Sequence, residues 1–205
     1  MAGRSTSARH ISSPPASHSA SYEIAARHSI KPLQQGELDC FCGIYAAINA
    51  ARLALAGAER PLSRKDCYEL FAAAANFVAS KDAAEALTWG LALRSRLAVT
   101  KLIVKEASRQ GSSLTIERPA YRRWTSIEDA FRWIDESMAL GKPVLAYVAG
   151  DPEHYTVIAG ITPTTIHLFD SVGMKLIRRR HINLSAGSRI LWPSGLLRLA
   201  HERGS

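Results

Sequence analysis

From Pro143 to Trp192 the chain reads as one short β-type run after another, whereas the stretch from Cys42 to Ser108 carries apolar residues at helical spacing. That segregation constrains the fold more than any other feature. It excludes the regular βαβ alternation of a doubly wound sheet and predicts the α+β class, with a helical half packed on an antiparallel sheet. A first helix starts at Cys42 and continues through Asn49 to Ala56, where Gly57 can end it. Ser63 caps a second helix to about Val78, and a third lies within Lys81 to Ser108, bent or interrupted near Gly90. Leu114-Thr115-Ile116 is a weak strand. Ser126-Ile127-Glu128-Asp129 opens a helix with Ile127, Phe131, Ile134 and Met138 on one face, stopping at Gly141. Strands are then expected at Pro143–Val148, His154–Gly160, Thr165–Ser171, Lys175–Ile177 and Arg189–Trp192.

A chain of 205 residues, 47% of them hydrophobic, suffices for one well-cored domain. Met1 to Ser21 is rich in Ser, Ala, Arg and His, contains Pro14-Pro15 and has almost no large aliphatic residues, too little to bury and order itself. The expected organisation is a disordered basic tail over residues 1–29 and one domain over 30–205. The tail lacks the apolar core of a secretory signal, and three cysteines suit a reducing compartment without a disulfide framework. A cytoplasmic protein is expected, or an effector secreted without a cleaved apolar signal. No apolar run approaches the roughly 20 residues that cross a bilayer, so no membrane span is expected.

Chemistry is concentrated in two places. In Gln35-Gly36-Glu37-Leu38-Asp39-Cys40-Phe41-Cys42-Gly43-Ile44-Tyr45, a polar loop delivers Cys42 to the start of a helix carrying Ile44, Ala47, Ile48 and Ala51. A helix N-terminus carries about half a positive charge and unpaired N–H groups, which stabilise a thiolate. Cys40 would lie outside that helix. In His154-Tyr155-Thr156-Val157-Ile158-Ala159-Gly160, then Thr165-Ile166-His167-Leu168-Phe169-Asp170-Ser171, two strands joined by Ile161-Thr162-Pro163-Thr164 would bring His154 and Asp170 together at the outer ends of a hairpin. A thiolate attacks a carbonyl, an imidazole moves the proton, and a carboxylate on the other ring nitrogen fixes the tautomer. The Cys42 N–H and the side-chain amide of Gln35 would complete an oxyanion hole.

Gln-Gly-Glu-Leu-Asp-x-x-Cys-Gly-x-Tyr-x-x-x-Asn, then His-Tyr-Thr-Val-Ile-x-Gly and Leu-Phe-Asp-Ser, resembles the papain-like cysteine peptidase superfamily. Within it the likeness is to the bacterial branch similar to the double-glycine leader peptidases of bacteriocin exporters. The match covers Ile30 to Asn49 and Pro143 to Gly173. The resemblance implies a papain-like fold and a cysteine peptidase with Cys42, His154, Asp170 and Gln35 as its site, acting on a peptide or protein without a cofactor. In that family the Gln commonly stands six positions before the nucleophile, a spacing that Gln34 keeps to Cys40, whereas Gln35 stands seven before Cys42. Ser171 stands where the leader peptidases carry proline, and no transporter segment accompanies the domain.

The same triad serves deamidation of a protein glutamine or acyl transfer, and a papain-like domain can also bind without catalysis. A zinc site needs four ligands, and Cys40-Phe41-Cys42 finds no second Cys/His pair at finger spacing, so no metal is expected. Cys67 reads as a core residue and His167 as the outward face of its strand. The net charge of +8 is compatible with an acidic substrate. Tyr121-Arg122-Arg123-Trp124 is too short a basic aromatic cluster to predict nucleic-acid binding, and Arg178-Arg179-Arg180 reads as a solvated basic face. Nothing in the sequence fixes an oligomeric state.

Overall fold

The computed structural model describes residues 20–36, 39–119, 124, 126–150, 153–185 and 188–202, with backbone alone for 82–89 and 93. Four α-helices are present among them: α1 (Cys42–Leu55), α2 (Arg64–Trp89), α3 (Leu93–Arg109) and α4 (Ile127–Ala139). Nine strands form one sheet: β1 (Tyr22–Glu23), β2 (Leu114–Glu117), β3 (Val144–Gly150), β4 (His154–Ile161), β5 (Thr165–Leu168), β6 (Leu176–Arg178), β7 (Ile182–Asn183), β8 (Arg189–Leu191) and β9 (Leu197–His201). The main path runs β2-β9-β3-β4-β5-β6, with every neighbouring pair antiparallel. β1 flanks β4, β8 flanks β3, and β7 joins β8 in the one parallel pairing described. The protein is therefore mixed α+β.

Several differences from the sequence expectations have physical causes. The second helix does not stop near Val78, because no breaker separates that residue from Ser80-Lys81-Asp82. It continues to Trp89 and ends at Gly90, whose φ of +78° suits glycine. The ordered fold also starts before residue 30: Tyr22 and Glu23 pair with Ile161 and Gly160, and Ile24 is buried. Two exposed residues and one buried isoleucine cannot justify a strand from local sequence; the free edge of β4 supplies its hydrogen bonds. Residues 1–19 of the expected tail lie outside the described residues. Of the expected basic face, Arg179 is buried, with Nη2 donating to Asp135 at 2.7 Å and its guanidinium 4.6 Å over the Phe131 ring, while Arg178 and Arg180 are exposed. Tyr121, Arg122 and Arg123 lie outside the described residues; Trp124 packs on Trp133 with ring centroids 6.5 Å apart.

The core lies where α1 crosses the sheet. Ala46, Ala47, Ala50 and Ala51 are fully or almost fully buried, and their small side chains let the helix approach β4 closely. Val157, Ile158, Ala159 and Ile161 complete that layer from β4, and Val99, Ile103 and Ala107 back it from α3. α4, capped by the Ser126 hydroxyl accepting from the Asp129 N–H at 3.3 Å, also contacts β4. No helix among the described residues is long and apolar enough to cross a membrane.

Candidate active site

β4 and β5 form the expected hairpin, and it contains a device the sequence does not display. The pairs Ile161 with Ile166 and Gly160 with His167 keep one register, but the ladder shifts by one residue before Ile158 meets Leu168. This β-bulge at Ala159 decides the orientation of Asp170. Continued without it, the ladder would set Asp170 opposite Val157, on the wrong face of the sheet. With it, Asp170 comes opposite Thr156 and diagonal to His154, on the same face. The Phe169 N–H bonds the Val157 carbonyl at 2.8 Å, holding the shifted register to the end of the hairpin.

His154 Nε2 and Asp170 Oδ2 are 2.7 Å apart, and both side chains are buried. The other carboxylate oxygen accepts the Val172 N–H at 2.9 Å and the Met174 N–H at 3.1 Å, so the turn after β5 fixes the carboxylate from behind. The Thr156 hydroxyl faces the same carboxylate, close enough to help keep it ionised without full hydrogen-bond geometry. Burial opposes the charge on Asp170, but the hydrogen bond from His154 and these further donors outweigh it and hold its pKa below the usual value. For His154 burial likewise opposes charge, and the hydrogen bonds to Asp170 and to Cys42 outweigh it, raising the pKa to about 9. Nε2 is taken by the carboxylate, so Nδ1 is the nitrogen that serves Cys42.

Cys42 is the first residue of α1, half-buried, and Cys40 lies outside the helix. The Phe41 carbonyl accepts from Ile44 and Tyr45, while the N–H groups of Cys42 and Gly43 carry no backbone partner among the described residues. Gly43 lies close against the sheet: a Cβ there would stand 2.8 Å from Leu91 Cδ1 and 3.3 Å from Tyr155 Cδ2, so a larger residue would have to displace Leu91. The Cys-Gly pair thus brings the helix end close enough to the sheet for the thiol to meet His154.

The loop before α1 is held by side chains. Buried Asn49 accepts the Leu33 N–H at 2.8 Å and donates to the Leu33 carbonyl at 3.1 Å, tying the loop to α1. Asp39 accepts the Gly36 N–H and the Phe41 N–H, each at 3.0 Å, and so folds the chain into the helix. The Gln35 N–H bonds the Ser171 carbonyl at 2.9 Å, and Gln34 Nε2 reaches the Asp170 carbonyl at 3.3 Å, joining this loop to the end of the hairpin.

The four expected residues are not equally assembled. His154 and Asp170 are hydrogen-bonded to each other, and Cys42 lies near enough to His154 to contribute to its raised pKa. Gln35 lies in the adjoining loop, where its amide donates to the Asp39 carbonyl and its buried Oε1 has no partner; no hydrogen bond joins it to Cys42 or His154. Cys67 is buried, and burial pushes its thiol pKa up. His167 is half-buried, and burial with the neighbouring Arg27 lowers its pKa. The structural roles of Asn49 and Asp39 were not assigned from sequence. Asp39, an Asx-type residue directly before a helix, carried a local signal; Asn49 did not, because its partner is 16 residues away. The chain matches no family model, no curated protein and no solved structure.

Proposed function

We propose that this protein is a papain-like cysteine peptidase that cleaves a peptide or isopeptide bond through an acyl-enzyme on Cys42. The observation that carries the reading is the His154 ring, hydrogen-bonded to the buried Asp170 carboxylate and close enough to Cys42, at a helix N-terminus, for the thiol to help raise its pKa. A structural histidine needs neither the thiol nor a raised pKa.

The chemistry follows the order Cys42, His154, Asp170. His154 Nδ1 takes the Cys42 proton, and the sulfur attacks the substrate carbonyl carbon. The carbonyl π pair moves to oxygen, where the Cys42 N–H and the second N–H of the Gln35 amide receive the charge. His154 then delivers its proton to the leaving amine as the C–N bond breaks, leaving a thioester. Water, deprotonated by His154, attacks that thioester, and the C–S bond breaks to release the acid and the thiol. Asp170 keeps Nε2 protonated throughout, which presents Nδ1 to the reacting atoms.

Alkylation by iodoacetamide from pH 5 to 9, read separately at Cys40, Cys42 and Cys67 by peptide mass mapping, tests the reading. Fast labelling of Cys42 below pH 7 that disappears in His154→Ala is expected. Labelling of Cys42 that rises only near the ordinary thiol range of about 8.5, the same with and without His154, would overturn it.

A further inference from the structure

Near the candidate thiol, the proposed chemistry leaves a row of aromatic side chains without a task. Tyr155 on β4 lies opposite Tyr147 on β3, and Trp192, just beyond β8, donates its N–H to the Tyr147 carbonyl at 3.3 Å. Their rings run side by side across the sheet, with centroids 4.7 Å apart for Tyr147 and Tyr155 and 6.3 Å for Tyr147 and Trp192. Exposure rises along the row, from 4% at Tyr155 through half-buried Tyr147 to 46% at Trp192. The buried end adjoins the start of α1 at Gly43. Beyond burial, the first cause, the charge of Cys42 contributes to raising the pKa of both tyrosines, which places the phenols within electrostatic reach of the thiol. The row therefore starts beside Cys42 and opens to solvent at Trp192.

A carboxylate stands beside the middle ring. Tyr147 Oη donates to Glu153 Oε2 at 2.6 Å, and Glu153, directly before His154, is exposed. No Lys, Arg or His among the described residues forms an ion pair with it. Arg96 stands 5.2 Å over the Tyr155 ring but is sealed from solvent, so it belongs to the foundation of the row. Electron-rich ring faces beside an uncompensated carboxylate attract an organic cation. An apolar shelf alone would accept any hydrophobic residue; Glu153 decides the sign.

We propose that Trp192, Tyr147 and Glu153 form a subsite for a lysine or arginine side chain of the substrate, next to the bond that is cleaved. This rests on the peptidase reading. It also reverses the preference that the net charge of +8 suggests, because charges more than about 10 Å away are screened at the site while Glu153 is part of it.

The test uses the full chain and acylated chloromethyl ketones with lysine, norleucine or glutamate at either of the two positions before the reactive carbon. Lysine is expected to accelerate Cys42 modification about tenfold over norleucine at one position, with glutamate slowest. Trp192→Ala and Glu153→Gln should each bring the lysine-to-norleucine ratio towards one. Equal lysine and norleucine rates at both positions, with His154-dependent iodoacetamide labelling of Cys42 intact, would overturn the subsite and leave the peptidase reading standing. Should that labelling itself be ordinary, tryptophan fluorescence of Cys42→Ala titrated with N-acetyl-lysine methylamide still decides the subsite. Saturable quenching that is absent in Trp192→Phe and with N-acetyl-norleucine methylamide would support it, and no difference between the two ligands would overturn it.

Discussion

His154 and Asp170 belong to the sheet and are buried behind a ladder of backbone hydrogen bonds, whereas Cys42 is reached through a loop held by the side chains of Asn49 and Asp39. On the sheet side, the groups facing the reaction are fixed by register, and a one-residue change of register would turn Asp170 to the other face. On the loop side, the backbone has few regular partners, and its geometry depends on single side chains. The rigid side suits proton transfer, which tolerates little displacement. The loop side carries the Gln35 amide, already committed to the Asp39 carbonyl, and under the proposed function it is the side that would admit a substrate.

The comparison is broken most severely by removing the groups that join the two sides. Cys42→Ala and His154→Ala are each expected to lower kcat/KM by at least about a thousandfold, with the far-ultraviolet circular dichroism unchanged. A variant of either residue that retained more than a tenth of wild-type turnover would separate these two residues from the chemistry.

Asp170→Asn tests the rigid side alone, by pH. The folded pKa of His154 is raised to about 9 from an ordinary value near 6.5, so the stability that its charged form contributes is complete below about 6.5 and is lost as pH rises through 9. Asp170 is shifted the other way: its contribution is present above its unfolded pKa of about 4 and is lost as pH falls through its lower folded value. The stability gap between wild type and Asp170→Asn should therefore be widest between about pH 4.5 and 6.5, at roughly 2–3 kcal/mol, and narrow towards pH 9. Urea unfolding across that range checks it. A gap that widened with rising pH would mean that His154 is neutral in the folded protein. Activity of Asp170→Asn should fall by about 10²–10⁴, since the imidazole loses the group that fixes its tautomer.

Asn49→Ala tests the other side. It leaves the part-buried Leu33 N–H and carbonyl without the partners that hold the loop, at a cost of about 1–3 kcal/mol. Because the loop also reaches Ser171 and Asp170, kcat should fall by about tenfold even where the protein is fully folded, with iodoacetamide labelling of Cys42 still dependent on His154. Loss of that dependence would show that the loop also positions the rigid side.

The same contrast explains how much of the molecule was legible in the sequence. The helix at Cys42, the break at Gly90, the Ser126 cap and the pairing of His154 with Asp170 all rest on local period, caps and turn chemistry, which neighbouring residues write down. β1, β7 and β9 carry no such local signal. β9 lies between β2 and β3, yet Leu197-Arg198-Leu199 is too short a period to stand out after Trp192-Pro193, and its partners lie far off in sequence. The bulge at Ala159 is hidden for a related reason. Gly160 is its nearest mark, and what crowds Gly160 is β1, with the Tyr22 carbonyl 3.3 Å and Glu23 Cγ 3.2 Å from where a Cβ would stand. The approximate spacing that brought His154 and Asp170 together was sufficient to predict their meeting but not the register that turns both to one face.

The smallest expected effect is at Cys40, two residues from the candidate nucleophile. Gln34 stands six positions before it, the spacing that the resembling peptidases keep, so sequence spacing alone nominates Cys40 as readily as Cys42. Geometry separates them: Cys42 opens α1 and meets His154, while Cys40 lies before the helix, with its carbonyl 3.1 Å from where a Cβ on Gly90 would stand. Cys40→Ala keeps that backbone approach and removes only a half-buried sulfur, so its activity should stay within about threefold of wild type and its stability within about 1 kcal/mol. Comparing kcat/KM for Cys40→Ala and Cys42→Ala in the same assay reads the difference directly. An inactive Cys40→Ala beside an active Cys42→Ala would move the nucleophile out of the helix and into the loop, and the contrast between a sheet-held base and a helix-held thiol would then have to be drawn between the sheet and the loop instead.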